Sequence, residues 1–245
     1  MRLRNLCPIP FSSPAELLAW DDALLETTEA GGPDTLWFWE SASPFVVVGY
    51  GQEIAREVDE AACMQREVPI LRRCSGGGTV VQGPGCLNYG LTLRIEEAGP
   101  LSTITGANRW IMERNRRALA TLLGEGVHVR GHTDLAFAGP KGERKFSGNA
   151  QRRKRQGLLF HGTILCQFDL SLIAALLRFP SAQPDYRESR NHLDFVANTG
   201  LAASAVVDAL RNEWQAEECL THLPTAAMRQ ALADRYGRPE WHRRR

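Results

Sequence analysis

The sequence predicts an α/β chain of the α+β type, a mixed and largely antiparallel β-sheet flanked by helices. Three observations point there. Short aromatic and β-branched runs, LWFWE, FVVVGYG, VPILRR and YGLTLRI, recur along the first part of the chain and read as strands. Two tight polar connections, PKGE and RRKRQG, separate strand-like runs that would pair as hairpins,. From Asp169 onward the apolar spacing becomes helical,.

In chain order, residues 14–30 carry apolar side chains at helical spacing, begin on a Ser-Pro pair and stop at Gly31-Gly32. They read as an amphipathic helix with Asp21 and Asp22 on its polar side. Helices are also expected over 58–66 and 101–123. VHVR, TDLAF, RKFSGNAQ and LLFHGTIL supply four further strands,. The basic run RRKRQG reads as a solvated hairpin tip, with a docking patch for an acidic partner as the sharper alternative,. DLSLIAALLRF, closed by Pro180, then ASAVVDALRNEWQ and TAAMRQALADRYG are helical, which makes residues 200–245 a helical tail. No repeat, low-complexity linker or boundary divides the chain, so residues 1–245 are read as one domain,.

With 245 residues, 43% of them hydrophobic, the chain can bury a substantial core without a metal or disulfide staple,. Its 29 Lys and Arg balance 28 Asp and Glu, which excludes a general nucleic-acid or membrane-surface binder and makes any anion site local,. Cysteines 7, 63, 74, 86, 166 and 219 form no CxxC pair and no zinc-like spacing with histidine,. They are read as reduced thiols. No apolar run approaches a membrane span and the N-terminus lacks a long signal core, so the expectation is a cytoplasmic protein, with a monomer as the working oligomeric state,.

The chemistry concentrates in two polar islands. LRRCSGGGTVVQGPGCLNY, residues 71–89, sets two arginines and a hydroxyl against three consecutive glycines. Glycine lets backbone N–H groups approach a ligand closely, and arginine offers a planar fork of donors for a carboxylate or phosphate. Asp134 opens the second island, which contains GERKFSGNAQ and LLFHGTIL. Two such islands in strand surroundings read as two sides of one pocket.

LLAWDDALLE, VVVGYGQ, RRCSGGGTVVQGPGCLNY, DLAF, GERKFSGNAQRRKRQGLLFHGTIL and the DLS helix, in that order, resemble the family of lipoate-protein ligases, octanoyltransferases and biotin ligases, most closely its lipoate ligase branch. The GRGRRG type of loop expected of a biotin ligase is missing. The resemblance implies the biotin/lipoate protein ligase catalytic-domain fold and an apolar tunnel for an eight-carbon acyl chain. It implies that lipoate or octanoate is activated by ATP and Mg²⁺ as an acyl-adenylate and passed to a lysine of an apo lipoyl-domain acceptor protein. At about 0.8 kcal/mol per buried methylene, roughly seven methylenes contribute on the order of 5 kcal/mol, so anchoring needs few polar contacts and lipoate and octanoate should both fit.

Residue by residue, the resemblance assigns Lys145 to bridge the acyl carbonyl oxygen and the adenylate phosphate. Arg72 meets the carboxyl or phosphate end, and Gly76, Gly77 and Gly78 wrap the ligand. Arg73 reads equally as a surface strand residue. Ser75 donates to the ligand or caps the turn. Asn88 sits beside the nucleotide; Asp134 holds Mg²⁺ or the ribose side, with a structural turn role as open. His161, Gly162 and Thr163 form the far wall, with a core histidine as the alternative for His161. Ser147, Gly148 and Asn149 complete the wall or stabilise the hairpin. Arg187, Arg190 and His192 stay unassigned, between facing the acceptor or adenylate and acting as helix-end charges.

An octanoyltransferase would instead need a placed cysteine. Residues 180–196 hold none, nor does VRGHTDLAF, which leaves Cys86 and Cys166 as the thiols nearest the expected pocket. Many family ligases carry a C-terminal accessory domain, and this chain ends soon after Trp241. A self-sufficient ligase, a catalytic subunit needing an accessory chain, a transferase of preactivated acyl groups and a non-catalytic lipoyl-binding module are therefore the readings to separate.

Overall fold

The computed structural model describes residues 3–5, 13–140 and 142–245, so Cys7 and Lys141 of the PKGE turn lie outside it. The strands are β1 (Arg4–Asn5), β2 (Thr35–Trp39), β3 (Phe45–Val48), β4 (Ile70–Arg72), β5 (Val80–Gln82), β6 (Cys86–Arg94), β7 (His128–Arg130), β8 (Asp134–Phe137), β9 (Arg144–Arg153), β10 (Gly157–Leu165) and β11 (Glu218–Cys219). Eight form one sheet in the order β11-β1-β2-β6-β10-β9-β8-β7. From β2 to β7 every pairing is antiparallel, while β1 runs parallel to both neighbours. The expected mixed, largely antiparallel sheet is present, with one difference. β4, β3 and β5 leave it for a three-stranded sheet of their own. β3 reads FVVV because both its faces are buried, Phe45 and Val47 in one apolar cluster and Val46 and Val48 in another,.

The helices are α1 (Pro14–Glu29), α2 (Ile54–Glu57), α3 (Glu60–Gln65), α4 (Ile104–Leu123), α5 (Ser171–Leu176), α6 (His192–Phe195), α7 (Ala203–Trp214), α8 (Thr225–Ala231) and α9 (Pro239–His242). Ser13 caps α1 and Pro14 occupies its first turn, as its sequence demands,. The helix expected over 58–66 is the shorter α3, and a separate helix, α2, precedes it. Val58 is extended and bridges Leu177, and Asp59 restarts the helix by accepting from Ala62 N at 3.0 Å. The tail is not wholly helical either, since Glu218–Cys219 adds a strand beside β1.

On one side of the large sheet, Leu91 and Phe160 pack with Ile111 of α4 and Leu210 of α7. On the other, Trp37 and Leu159 pack with Leu24 of α1 and Tyr236. Because α1 is enclosed between the sheet and α8, it has no solvated side at Asp21 and Asp22, which are 3% and 1% exposed. This corrects their expected placement. Asp22 is compensated by Arg235 Nη1 at 2.5 Å and by the Tyr236 hydroxyl at 3.1 Å, as a buried carboxylate must be.

The basic run between β9 and β10 is a set of struts. Arg153 donates to Leu101 O at 2.7 Å, Arg152 lies 3.6 Å from Asp22, and Lys154 pairs with Glu26. Charges so occupied weaken its reading as a docking patch. Cys63, Cys74, Cys86 and Cys166 are free and buried, whereas Cys219 is disulfide-bonded, so the reduced state expected of all six does not extend to it. Among the described residues, no helix is long and apolar enough to cross a membrane.

Helix α9 docks on β4. Trp241 Nε1 donates to Arg72 O at 2.9 Å, and His242 Nδ1 accepts the Arg72 backbone N–H at 3.0 Å while Nε2 faces Tyr236 O at 2.9 Å. That arrangement requires a neutral imidazole. Burial first, and then Arg72, hold the His242 pKa below its ordinary value against the Tyr236 carbonyl. A histidine depressed on folding stabilises fully above its unfolded-state pKa, about 6.5, and loses that contribution as pH falls through the folded-state value. Urea unfolding is therefore expected to give lower stability at about pH 5.5 than at about pH 7.5, with a smaller acid loss in His242→Gln. An equal loss in the variant would remove His242 as its source.

Candidate active site

The β4–β5 connection explains the glycines. β4 lies parallel to β3 on one side and β5 antiparallel on the other, so residues 73–79 must cross the end of β3. They do so against Gly49, where a Cβ would collide with Gly77 O, and Gly77 itself has φ +84°,. The crossing is built around Arg73. Its buried guanidinium donates to Gly76 O at 2.6 Å, Gly78 O at 2.7 Å and Ser75 Oγ at 3.0 Å. Burial lowers its pKa to about 10, which leaves it charged at neutral pH. Ser75 Oγ lies 2.5 Å from His161 Nε2, and His161 Nδ1 lies 2.6 Å from Asp21 Oδ2. The donors line up in one direction, Arg73 to Ser75 to His161 to Asp21, and Trp37 Nε1 completes the carboxylate at 3.0 Å. The glycine crossing is thereby fastened to the large sheet and to α1.

Registers in the large sheet place the rest. Asn88, Thr163 and Gly148 align across β6, β10 and β9, as do Tyr89, Gly162 and Asn149 in the next row. Thr163 Oγ1 donates to Asn88 Oδ1 and accepts from Gln82 Nε2, both at 2.9 Å, and Asn88 Nδ2 donates to Gln82 Oε1 at 2.8 Å. A side chain at 162 would strike Asn149 Oδ1. With glycine there, Tyr89 OH reaches that oxygen at 2.5 Å and Asn149 Nδ2 donates to Thr133 O at 2.6 Å and Ser147 Oγ at 3.2 Å.

Lys145 is aimed by a β-bulge. Leu135 pairs with Ser147 and Ala136 with Lys145, leaving Phe146 as the extra residue on β9,. The ammonium lies 2.7 Å from Asp134 Oδ1, folded over Gly148, where a Cβ would stand 2.7 Å from Nζ. Asp134 Oδ2 accepts from Tyr186 OH at 2.9 Å, and burial, with Asp134 beside it, raises the Tyr186 pKa so that the hydroxyl keeps its proton.

Two cavities meet at this lysine. An inner one of about 140 Å³ is lined by apolar Leu18, Trp39, Val47 and Val80, but also by Arg73, Asp21 and His161. Where an apolar tunnel was expected, the inner cavity also has a charged, hydrogen-bonded wall. An outer cavity of about 840 Å³ is lined by the β7–β8 connection, β9 and residues 180–187. Gly78, Thr79, Val80, Lys145, Gly148, Asn149 and Thr163 line both.

Of the sequence-predicted residues, Lys145, Gly78, Asn88, Asp134, Ser147, Gly148, Asn149, His161, Gly162 and Thr163 line one cavity or both. Gly76, Gly77 and Ser75 shape the crossing behind it. Arg72 is misplaced by the sequence reading. It is wholly buried outside both cavities, donating to Gly49 O, Gln52 O, His242 O and Arg245 O at 2.7–3.1 Å. Arg73 takes its place, since adjacent strand residues point to opposite faces. Asp134, assigned to Mg²⁺ or the ribose side, has both its oxygens engaged by Lys145 and Tyr186. Asp21, Gln82, Tyr89 and Tyr186 escaped sequence reasoning. For Asp21 the signal was a carboxylate pair inside an otherwise apolar helix.

The segment left unassigned also finds its place. Arg187 and His192 line the outer cavity, Arg187 with its guanidinium 4.9 Å from the Phe195 ring centroid, and Arg190 donates to Glu143 O and Tyr186 O, tying this segment to the β8–β9 hairpin. No cysteine lines either cavity among the described residues. Burial pushes the Cys166 thiol up to about 11 and the Cys86 thiol well above its ordinary value.

The fold, an antiparallel sheet carrying a lysine between two cavities beside a glycine crossing, is that of lipoate protein ligase catalytic domains. The structure of a bipartite lipoate protein ligase and its E2 lipoyl domain from Thermoplasma acidophilum superimposes with a TM-score of 0.84 over 99% of this chain and 96% of that one, at 23% identity. Lipoate-protein ligase A bound with ATP does so with a TM-score of 0.80 over 99% of each, at 24% identity. Residues 13–201 match the lipoyl protein ligase A/B catalytic domain, and the chain belongs to that family. Octanoyltransferase LipM of Moorella thermoacetica is 32% identical over 69% of this chain and 67% of its own.

Proposed function

We propose that this protein is an ATP-dependent lipoate-protein ligase. The observation that carries the reading is the position of Lys145 where a small, partly apolar cavity opens into a large polar one, with no cysteine lining either among the described residues. The acyl chain of lipoate or octanoate occupies the inner cavity and the nucleotide the outer one. A carboxylate oxygen attacks the α-phosphorus of Mg-ATP, the bond to pyrophosphate breaks, and Lys145 balances the negative charge that builds on carboxylate and phosphate. The neutral amine of an acceptor lysine then attacks the acyl carbon, AMP leaves, and the new amide loses a proton. Magnesium enters with the nucleotide phosphates as part of the substrate.

Transfer from a carrier-protein thioester would require a reactive thiol, whereas the buried cysteines here are held protonated,. A second reading, a catalytic subunit completed by an accessory chain, draws support from the bipartite nature of the Thermoplasma acidophilum ligase. The intact mass of an apo lipoyl domain, after incubation with lipoate and Mg-ATP or with octanoyl-carrier protein alone, separates these. A mass gain only with ATP is the expected result. A gain only from the carrier protein overturns it, and a gain in neither points to the accessory chain or to a binding module.

A further inference from the structure

A file of buried polar side chains runs through the core from α7 to the site. Trp214 Nε1 donates to Asn115 Oδ1 of α4 at 2.8 Å, Asn115 Nδ2 donates to the Tyr89 hydroxyl of β6 at 2.7 Å, and that hydroxyl donates to Asn149 Oδ1 of β9 at 2.5 Å. Its direction is set from both ends. An indole N–H only donates and a main-chain carbonyl only accepts, so Asn115 turns its oxygen to Trp214 and its nitrogen to Tyr89. The phenol hydrogen then goes to Asn149, whose nitrogen faces Thr133 O. Burial raises the Tyr89 pKa, so the phenol keeps that hydrogen. Trp214, Asn115 and Tyr89 are each 2% exposed or less, and Asn115 and Trp214 line neither cavity. An amide enclosed between α4 and α7 carries a desolvation cost that packing the two helices does not require,.

The file ends on the two segments that carry Lys145 and its carboxylate partner. Asn149 Nδ2 donates to Ser147 Oγ, next to the extra residue Phe146 of the β9 bulge, and to Thr133 O, next to Asp134. Thr133 Oγ1 donates back to Asn149 O at 2.8 Å. Lys145 and Asp134 lie one step beyond, 2.7 Å apart. We infer that Tyr89, Asn115 and Trp214 are positioning residues for Lys145: they hold the Asn149 amide in one orientation, and that amide fixes the bulge and the β7–β8 connection that aim the ammonium. The inference deepens the function proposed above and rests on it for the role of Lys145.

The test is steady-state pyrophosphate release from octanoate and Mg-ATP by wild type, Tyr89→Phe, Lys145→Ala and the double variant, with the melting temperature of each. Phenylalanine keeps the ring and removes only the hydroxyl. Tyr89→Phe is expected to lower kcat about tenfold, the worth of one well-placed hydrogen bond. KM for octanoate should stay within about twofold and the melting temperature should fall by no more than about 5 °C. In the Lys145→Ala background the same change is expected to cost nothing further, because the relay acts through the lysine. Asn115→Leu removes the donor to the Tyr89 hydroxyl and is expected to repeat the pattern at about threefold; it carries the test should Tyr89→Phe not fold. Unchanged kcat in these variants, or an equal fold-loss with and without Lys145, overturns the inference and leaves the ligase reading standing. A raised KM at unchanged kcat makes the hydroxyl part of ligand binding and overturns it too. A wild type that releases no pyrophosphate but loads an apo lipoyl domain from octanoyl-carrier protein overturns the ligase reading alone, and the same variants then test the relay in that transfer. A wild type inactive in both assays overturns the role of Lys145, and this inference with it.

Discussion

Lys145→Ala is expected to lower acyl-adenylate formation, followed as pyrophosphate release, by about 10³-fold, because it removes the donor assigned to the charge that builds in both steps. The fold should survive. The lysine side chain is 27% exposed and its one close partner, Asp134, keeps the Tyr186 hydroxyl and is itself partly open to solvent. The melting temperature of the variant should therefore stay within about 2 °C of wild type. Turnover at the wild-type rate would remove Lys145 from the chemistry and, with it, the meaning assigned to the junction of the cavities.

Arg72→Ala should do the opposite, with a large loss of stability and no selective loss of substrate binding. The guanidinium satisfies main-chain oxygens from two separated parts of the chain, residues 49–52 after β3 and the segment of His242 and Arg245. Truncation removes a wholly buried side chain and its bonds to Gln52 O and His242 O, while the backbone of residue 72 still holds Trp241 and His242, a loss of about 3 kcal/mol,. Arg72→Lys should recover only part, since an ammonium has no planar fork to span acceptors in several directions. Chemical denaturation measures both. If Arg72→Ala unfolded like wild type but lost affinity for the acyl acid, the guanidinium would have to reach the ligand, contrary to its enclosure here.

These two residues also show how far local sequence carried. The lysine was legible because its neighbours are unusual: FSGNA supplies a bulge, a glycine under the ammonium and an asparagine that needs Gly162 opposite. The arginine was not, since RR in a strand says that two side chains point to opposite faces without saying which face holds the ligand. That choice belongs to the three-stranded sheet, whose separation from the large one no run of residues announces. Asp21 failed for a related reason. A carboxylate pair on a helix reads as its wet side unless a second layer covers it, and α8 with Tyr236 lies more than two hundred residues further along the chain.

What the sequence by itself determined was most of the longer elements and their order, the antiparallel hairpins, the Lys145 neighbourhood and the family. Each depends on spacing, turn chemistry and side-chain type within a few residues. What only the tertiary structure decided was which of two adjacent arginines enters the cavity, that Asp21 holds His161, and that Cys86 and Cys166 are sealed away. Those outcomes depend on which layers cover which faces, and burial is a property of elements distant in sequence, invisible until they pack.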